Sequence, residues 1–160
     1  MKKARLILTT SMFALMGLSA ITISSCTKDE TCPAGYEGKN CDVQIRTAML
    51  GTYNATDENV TNPNASPNPY NPVISTNASV TVVNIKSFSD FFSGSEIVTS
   101  NVSKSGDNIN FTIPAQKPDN VYEVSGSGTY NAANKTINIE YSLKNPLGDI
   151  DNYTGVWTKQ

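Results

Sequence analysis

The chain has 160 residues, with 12 basic and 14 acidic side chains and no histidine. Lack of histidine excludes Ser-His-Asp and Cys-His nucleophilic arrangements and histidine-ligated zinc. No run of Lys or Arg occurs, which argues against nucleic acid as a partner.

In chain order, the first element is a basic start (Lys2, Lys3, Arg5), then an apolar stretch from Leu6 to Ile23 and the box Ile23-Ser24-Ser25-Cys26. Thr9, Thr10, Ser11, Ser19, Thr22 and Ser24 interrupt the stretch, so it makes a poor permanent transmembrane helix. An ordinary cleaved signal favours small residues of the Ala-x-Ala kind at the cut, whereas here the box leads directly into a cysteine. The arrangement resembles a bacterial lipoprotein signal, in which the chain is cut before the cysteine and the thiol receives a diacylglycerol. The resemblance implies a signal peptide over 1–25, lipidation at Cys26, and a membrane as partner through the N-terminal lipid. More than one acyl chain is what stable anchoring requires.

If Cys26 carries lipid, two of the 3 cysteines remain, Cys32 and Cys41, and an oxidising compartment would pair them. Their context, Cys32-Pro33-Ala34-Gly35-Tyr36-Glu37-Gly38-Lys39-Asn40-Cys41, resembles the last cysteine loop of an EGF-like module. Most cysteines of a full module are missing, so neither calcium binding nor receptor recognition carries over. A stapled spacer turn and a recognition element both remain open. The tract Thr27-Lys28-Asp29-Glu30 resembles the charged signal that, in Bacteroidetes-type bacteria, sends lipoproteins to the outer face; a solvated tether is its other reading. The layout as a whole resembles a Bacteroidetes-type surface lipoprotein, lipid-anchored in the outer membrane. It divides the chain into a signal (1–25), a lipidated tether with the disulfide loop (26–46) and a β domain (47–160).

The third segment is rich in Asn, Ser and Thr, which favours strands and turns over long helices. Ile109, Phe111 and Ile113 alternate with Asn108, Asn110 and Thr112. Ile137, Ile139, Tyr141 and Leu143 do the same, as do Tyr122, Val124, Gly126, Gly128 and Tyr130. This period of two predicts antiparallel strands with one wet face. Over 78–86 the adjacent Val82 and Val83 break the alternation, and a bulge there would account for it. Further strands are expected over 47–54, 95–103 and 151–158. Turns at Ser105-Gly106-Asp107, 132–135 and 146–149 give a meander of roughly seven or eight strands. The expected fold is all-β: a single antiparallel meander barrel of lipocalin-like type, with a two-sheet sandwich as the alternative. Pairing of the first strand (Leu50, Tyr53) with the last (Tyr153, Trp157) would remove an exposed edge.

Two segments fall outside that meander. Residues 57–77 carry Asn62-Pro63, Asn68-Pro69 and Asn71-Pro72 with little that is apolar, and are expected to form a long loop, either a binding lid or a surface insertion. Phe88, Phe91 and Phe92 either fill the core or form an exposed, ligand-contacting tip.

No catalytic residue and no metal or cofactor site is identified. Gly126-Ser127-Gly128 has no following Lys-Ser/Thr and lies in a strand pattern, so it is not a phosphate loop. Asp149 and Asp151 suit a hydrolase or calcium only with partners that the sequence does not define. Two functions remain from different classes. One is a non-enzymatic surface lipoprotein that binds a small molecule, a glycan or an envelope protein, with Tyr122, Tyr141 and Trp157 as candidate ligand contacts. The other is a carboxylate-dependent extracellular glycan hydrolase, and a purely structural accessory role also stays open.

Overall fold

The computed structural model describes residues 32–89, 91–92 and 94–160. The signal 1–25, Cys26 and the charged tract 27–30 therefore lie outside the described residues.

Two short strands, β1 (Tyr36–Glu37) and β2 (Val43–Gln44), pair within the disulfide loop, and a single 3-10 helix follows (Ile45–Met49). The remaining strands are β3 (Gly51–Asn59), β4 (Asn68–Tyr70), β5 (Val73–Thr76) and β6 (Val82–Lys86). After them come β7 (Ile97–Ser105), β8 (Asn108–Gln116), β9 (Glu123–Asn131), β10 (Thr136–Lys144) and β11 (Ile150–Lys159). From β5 to β11 each strand pairs antiparallel with the next, and β3 pairs with both β5 and β11, which closes an 8-strand meander barrel. The closing seam sets Trp157 opposite Ala55 and Tyr153 opposite Asn59. No backbone edge is left along it. Inward positions carry Val, Ile and aromatic side chains that merge into one core. Outward positions such as Asn54, Thr56, Glu58, Asn138, Glu140 and Thr154 are polar and exposed. That polarity is the reverse of a membrane-spanning barrel, whose outer wall is apolar. Among the described residues no helix is long and apolar enough to cross a membrane.

Three expectations are corrected. The first strand was expected over 47–54 but begins at Gly51 and continues to Asn59, while Ile45–Met49 coils into the 3-10 helix. The expected loop over 57–77 shrinks to 60–67, because its later part adds β4 and β5 to the same edge of β3. The two strands are separated at Asn71-Pro72, where the Pro nitrogen has no proton for the ladder. Asn71 spans the break by donating from Nδ2 to the Tyr53 carbonyl at 3.1 Å. Finally, the strand expected over 78–86 starts only at Val82, so Val83 and Ile85 point inward without any bulge. The irregularity in the barrel lies between β8 and β9, at Ile113 to Gln116, next to Pro114.

The two ends of the barrel differ. At the end that carries the β5–β6, β7–β8 and β9–β10 turns, the 3-10 helix is a plug whose Ile45 and Met49 enter the core. Buried Arg46 donates to the carbonyls of Asn77, Ser79 and Val82 at 2.8, 2.6 and 2.8 Å. The Cys32–Cys41 disulfide is formed, with Cα atoms 5.3 Å apart. Its loop rests on the same end: the Ile45 N–H donates to Gly35 at 2.9 Å, Gly35 abuts Val80, and Glu37 pairs with Lys104. At the opposite end the β6–β7 loop folds inward and buries Phe88 and Phe92.

Candidate functional site

The open end contains the site. Asp57 lies on β3 in inward phase with Tyr53 and Ala55, and only 5% of it is exposed. The residue opposite on β11 is Gly155. A Cβ there would lie 1.9 Å from Asp57 Oδ1, so the glycine clears the space that the carboxylate fills. Three neutral donors converge on it. The Tyr70 hydroxyl donates to Oδ2 in a short hydrogen bond, the Tyr141 hydroxyl donates to Oδ2 at 2.8 Å, and Trp157 Nε1 donates to Oδ1 at 3.1 Å. Burial pushes the Asp57 pKa up, while these three hydrogen bonds pull it down in part. The Tyr70 and Tyr141 hydroxyls are pushed up as well, first by burial, so both keep their protons and act as donors.

Ser89 in the β6–β7 loop completes the network. It lines the same cavity, and its backbone beside the Tyr70 hydroxyl and its side chain beside that of Tyr141 draw both pKa values partly back down. Ser87 and Ser89 both sit at positive φ, 51° and 57°, a conformation that costs energy in residues other than glycine. The loop keeps it because Phe88 is anchored on two rings, 4.8 Å from Tyr141 and 5.7 Å from Trp157, both edge to face. An aromatic series then runs outward. Tyr141 stacks on Tyr153 at 5.0 Å, Tyr153 meets Phe91 at 6.1 Å, and Phe91 meets Tyr122 at 5.6 Å.

Above the carboxylate is a cavity of about 180 Å³. Asp57, Tyr70, Tyr141, Tyr153 and Phe91 line it on the barrel side. Asn59, Ala65, Ser66, Asn68 and Ser89 complete it from the strand ends and loops. Phe91, 43% exposed, stands at the mouth. Exposed Val60, Ile97, Val121, Leu147 and Ile150 all belong to segments at this same end and give it an apolar rim. Larger hollows on the outer wall of β9 to β11 are lined about equally by polar and apolar surface, with Ser127, Glu140 and Thr154 beside Val60, Tyr153 and Val156, and none of the residues lining them is a buried charged one.

Of the three ring residues singled out in the sequence, only Tyr141 lines the cavity. Trp157 lies beneath it, fully buried, and acts through its bond to Asp57. Tyr122 lies to one side, against Phe91. Asp149 is exposed in the β10–β11 turn, where its carboxylate accepts from Asn145 at 2.9 Å, and neither it nor Asp151 lines the cavity. Among the described residues no group of three or more side chains is placed to hold a metal ion. Sequence reasoning missed Asp57, Tyr70 and Ser89. The available signal for Asp57 was the phase Tyr53, Ala55, Asp57, which makes a carboxylate an inward position once the strand is carried past Asn54. No protein-family model and no curated protein matches the chain.

Proposed function

We infer that the protein is a non-enzymatic binding module, lipid-anchored through Cys26 at the outer membrane and exposed at the cell surface, and that the cavity at the open end of its barrel takes a small molecule. The observation that carries this reading is a half-open, ring-lined pocket with a buried carboxylate among its lining residues. Apolar walls with a few convergent polar groups are the usual make-up of small-molecule sites. The other barrel end is filled by Ile45, Arg46 and Met49, which leaves the rim with Phe91 as the way in.

A hydrolase has less support. Glycosidases work with two carboxylates across the scissile bond, whereas among the described residues one carboxylate, Asp57, lines this cavity. An envelope protein seated over the mouth is the second reading, favoured by the apolar rim of Val60, Ile97, Val121, Leu147 and Ile150.

Native mass spectrometry of the lipidated protein, extracted in maltoside detergent from the cells that make it, tests the small-molecule reading. A bound adduct is expected, and it should vanish when Ala65→Trp fills the cavity. No adduct on the natural protein, or an adduct indifferent to Ala65→Trp, contradicts the reading.

A further inference from the structure

We propose that the ligand of this cavity is a small organic cation, whose ammonium group seats among the rings of Tyr70, Tyr141, Tyr153 and Phe91 and balances the charge of Asp57. The proposal rests on the cavity being a binding site and adds the chemical class of what fills it.

The carboxylate supplies the first argument. Buried acids are normally paired with a cation or neutralised. Asp57 lines the cavity and is 5% exposed, yet among the described residues the groups acting on it are the neutral Tyr70, Tyr141 and Trp157, with no Lys or Arg. A carboxylate offers about four acceptor positions, and three neutral donors leave one position open and bring no formal positive charge to the site. An anionic ligand would meet that charge directly. It would also find no proton on Tyr70 or Tyr141, because both are directed at Asp57.

The walls supply the second. Cations within about 6 Å of an aromatic face are held by the ring quadrupole, and quaternary ammonium groups are recognised by cages of such rings. Four rings from four separate elements, β4, the β6–β7 loop, β10 and β11, surround this space. Tyr141 and Tyr153 lie parallel, 9° between planes, so each covers one face of the other, and Phe91 stands at 67° to Tyr153. Size is the third argument. The cavity, about 180 Å³ and open at its mouth, is small and suits a compact methylated ammonium head.

Choline and its uncharged isostere 3,3-dimethylbutan-1-ol separate charge from shape. Each is titrated into the full-length protein in maltoside, with binding followed by calorimetry and by the NMR signals of the cavity tyrosines. Choline should bind at least about tenfold more tightly than the isostere, and Asp57→Asn should lower choline affinity by a similar factor while leaving the isostere unchanged. If Asp57→Asn fails to fold, Tyr153→Leu serves instead and should weaken choline more than the isostere. Equal binding of the two probes at the cavity overturns the cation proposal and leaves the binding-module reading standing. Absence of choline binding also overturns it, with the adduct measurement deciding the broader reading separately. A free solute and a lipid head group carry the same ammonium chemistry. Flotation of the Cys26→Ala variant, which lacks the acyl anchor, with phosphatidylcholine vesicles, reversed by choline, assigns the site to the head group; choline binding without flotation assigns it to a solute. Flotation that choline does not reverse contradicts the proposal.

Discussion

Gly155 and Asp57 face each other across the closing seam of the barrel so closely that a methyl group on the glycine would reach 1.9 Å from the carboxylate oxygen Oδ1. The glycine is thus the counterpart of the acid, and the two form one structural unit. Gly155→Ala should destabilise the protein by about 1–3 kcal/mol, as overpacking of a filled interior does. The double variant Gly155→Ala/Asp57→Ala should recover part of that loss, because the clash partner is gone. Urea unfolding of the four proteins measures the coupling; strict additivity would show that the two residues do not share the space.

Asp57 also predicts a pH dependence. Its folded-state pKa is raised above the ordinary 3.8, so the folded protein holds this proton more tightly than the unfolded chain does. Its contribution to stability is therefore complete below about 3.8 and is lost as the pH rises through the folded value. The facing hydroxyls of Tyr70, Tyr141 and Tyr153 are shifted upward and stay protonated throughout, so the effect belongs to Asp57. Between pH 7 and pH 4 the stability of the natural protein should rise relative to that of Asp57→Asn. Denaturant midpoints at several pH values measure the difference, and the opposite slope contradicts a raised pKa.

Much of the barrel was legible from alternation alone. Ile137, Ile139, Tyr141 and Leu143 have only one way to face a core, and Trp157 shares its phase with Tyr153. The site was not legible, for physical reasons that concern particular residues. Asp57 looks like a wet position until the β3–β11 register sets it against Gly155, a pairing between residues far apart in the chain. Tyr70 lies in the proline-rich stretch that reads as loop, and it becomes a strand residue only because the edge of β3 supplies hydrogen-bond partners. The role of Ser89 depends on a positive φ that no local pattern announces.

Trp157 connects the core to the site, since it is fully buried, meets Phe88 edge to face and donates to Asp57. Trp157→Ala should cost about 3–5 kcal/mol, the range for losing a large buried aromatic. Indole emission of the natural protein should be blue-shifted and resistant to acrylamide. A red-shifted, readily quenched indole would place Trp157 at the surface.

The disulfide loop is docked on the plugged end through Gly35 and the Glu37–Lys104 pair, yet the core side chains nearest to it, Ile45 and Met49, follow the second cysteine. Replacing Cys32 and Cys41 by Ser should therefore lower stability by about 2–3 kcal/mol, the chain-entropy value for so short a loop, and leave the barrel folded. Circular dichroism with thermal melts checks this; loss of the β spectrum would make the bridge essential to the plug.

Cys26→Ala should release the protein from membranes with the same β-sheet circular dichroism as the natural chain, because the anchor and the barrel use different residues. Detergent phase partitioning reads the outcome, and continued membrane association would contradict lipidation at this cysteine.

The most direct test of the open barrel end as the binding site is NMR mapping of a fragment library, limited to about ten heavy atoms per compound, on the full-length protein in maltoside. Resonances of Tyr70, Ser89, Tyr141 and Tyr153 should shift together with saturable binding, while those of Met49 and Ile45 in the plug stay fixed. Shifts confined to the outer wall around Ser127 and Glu140, with the cavity tyrosines unmoved, would contradict the account.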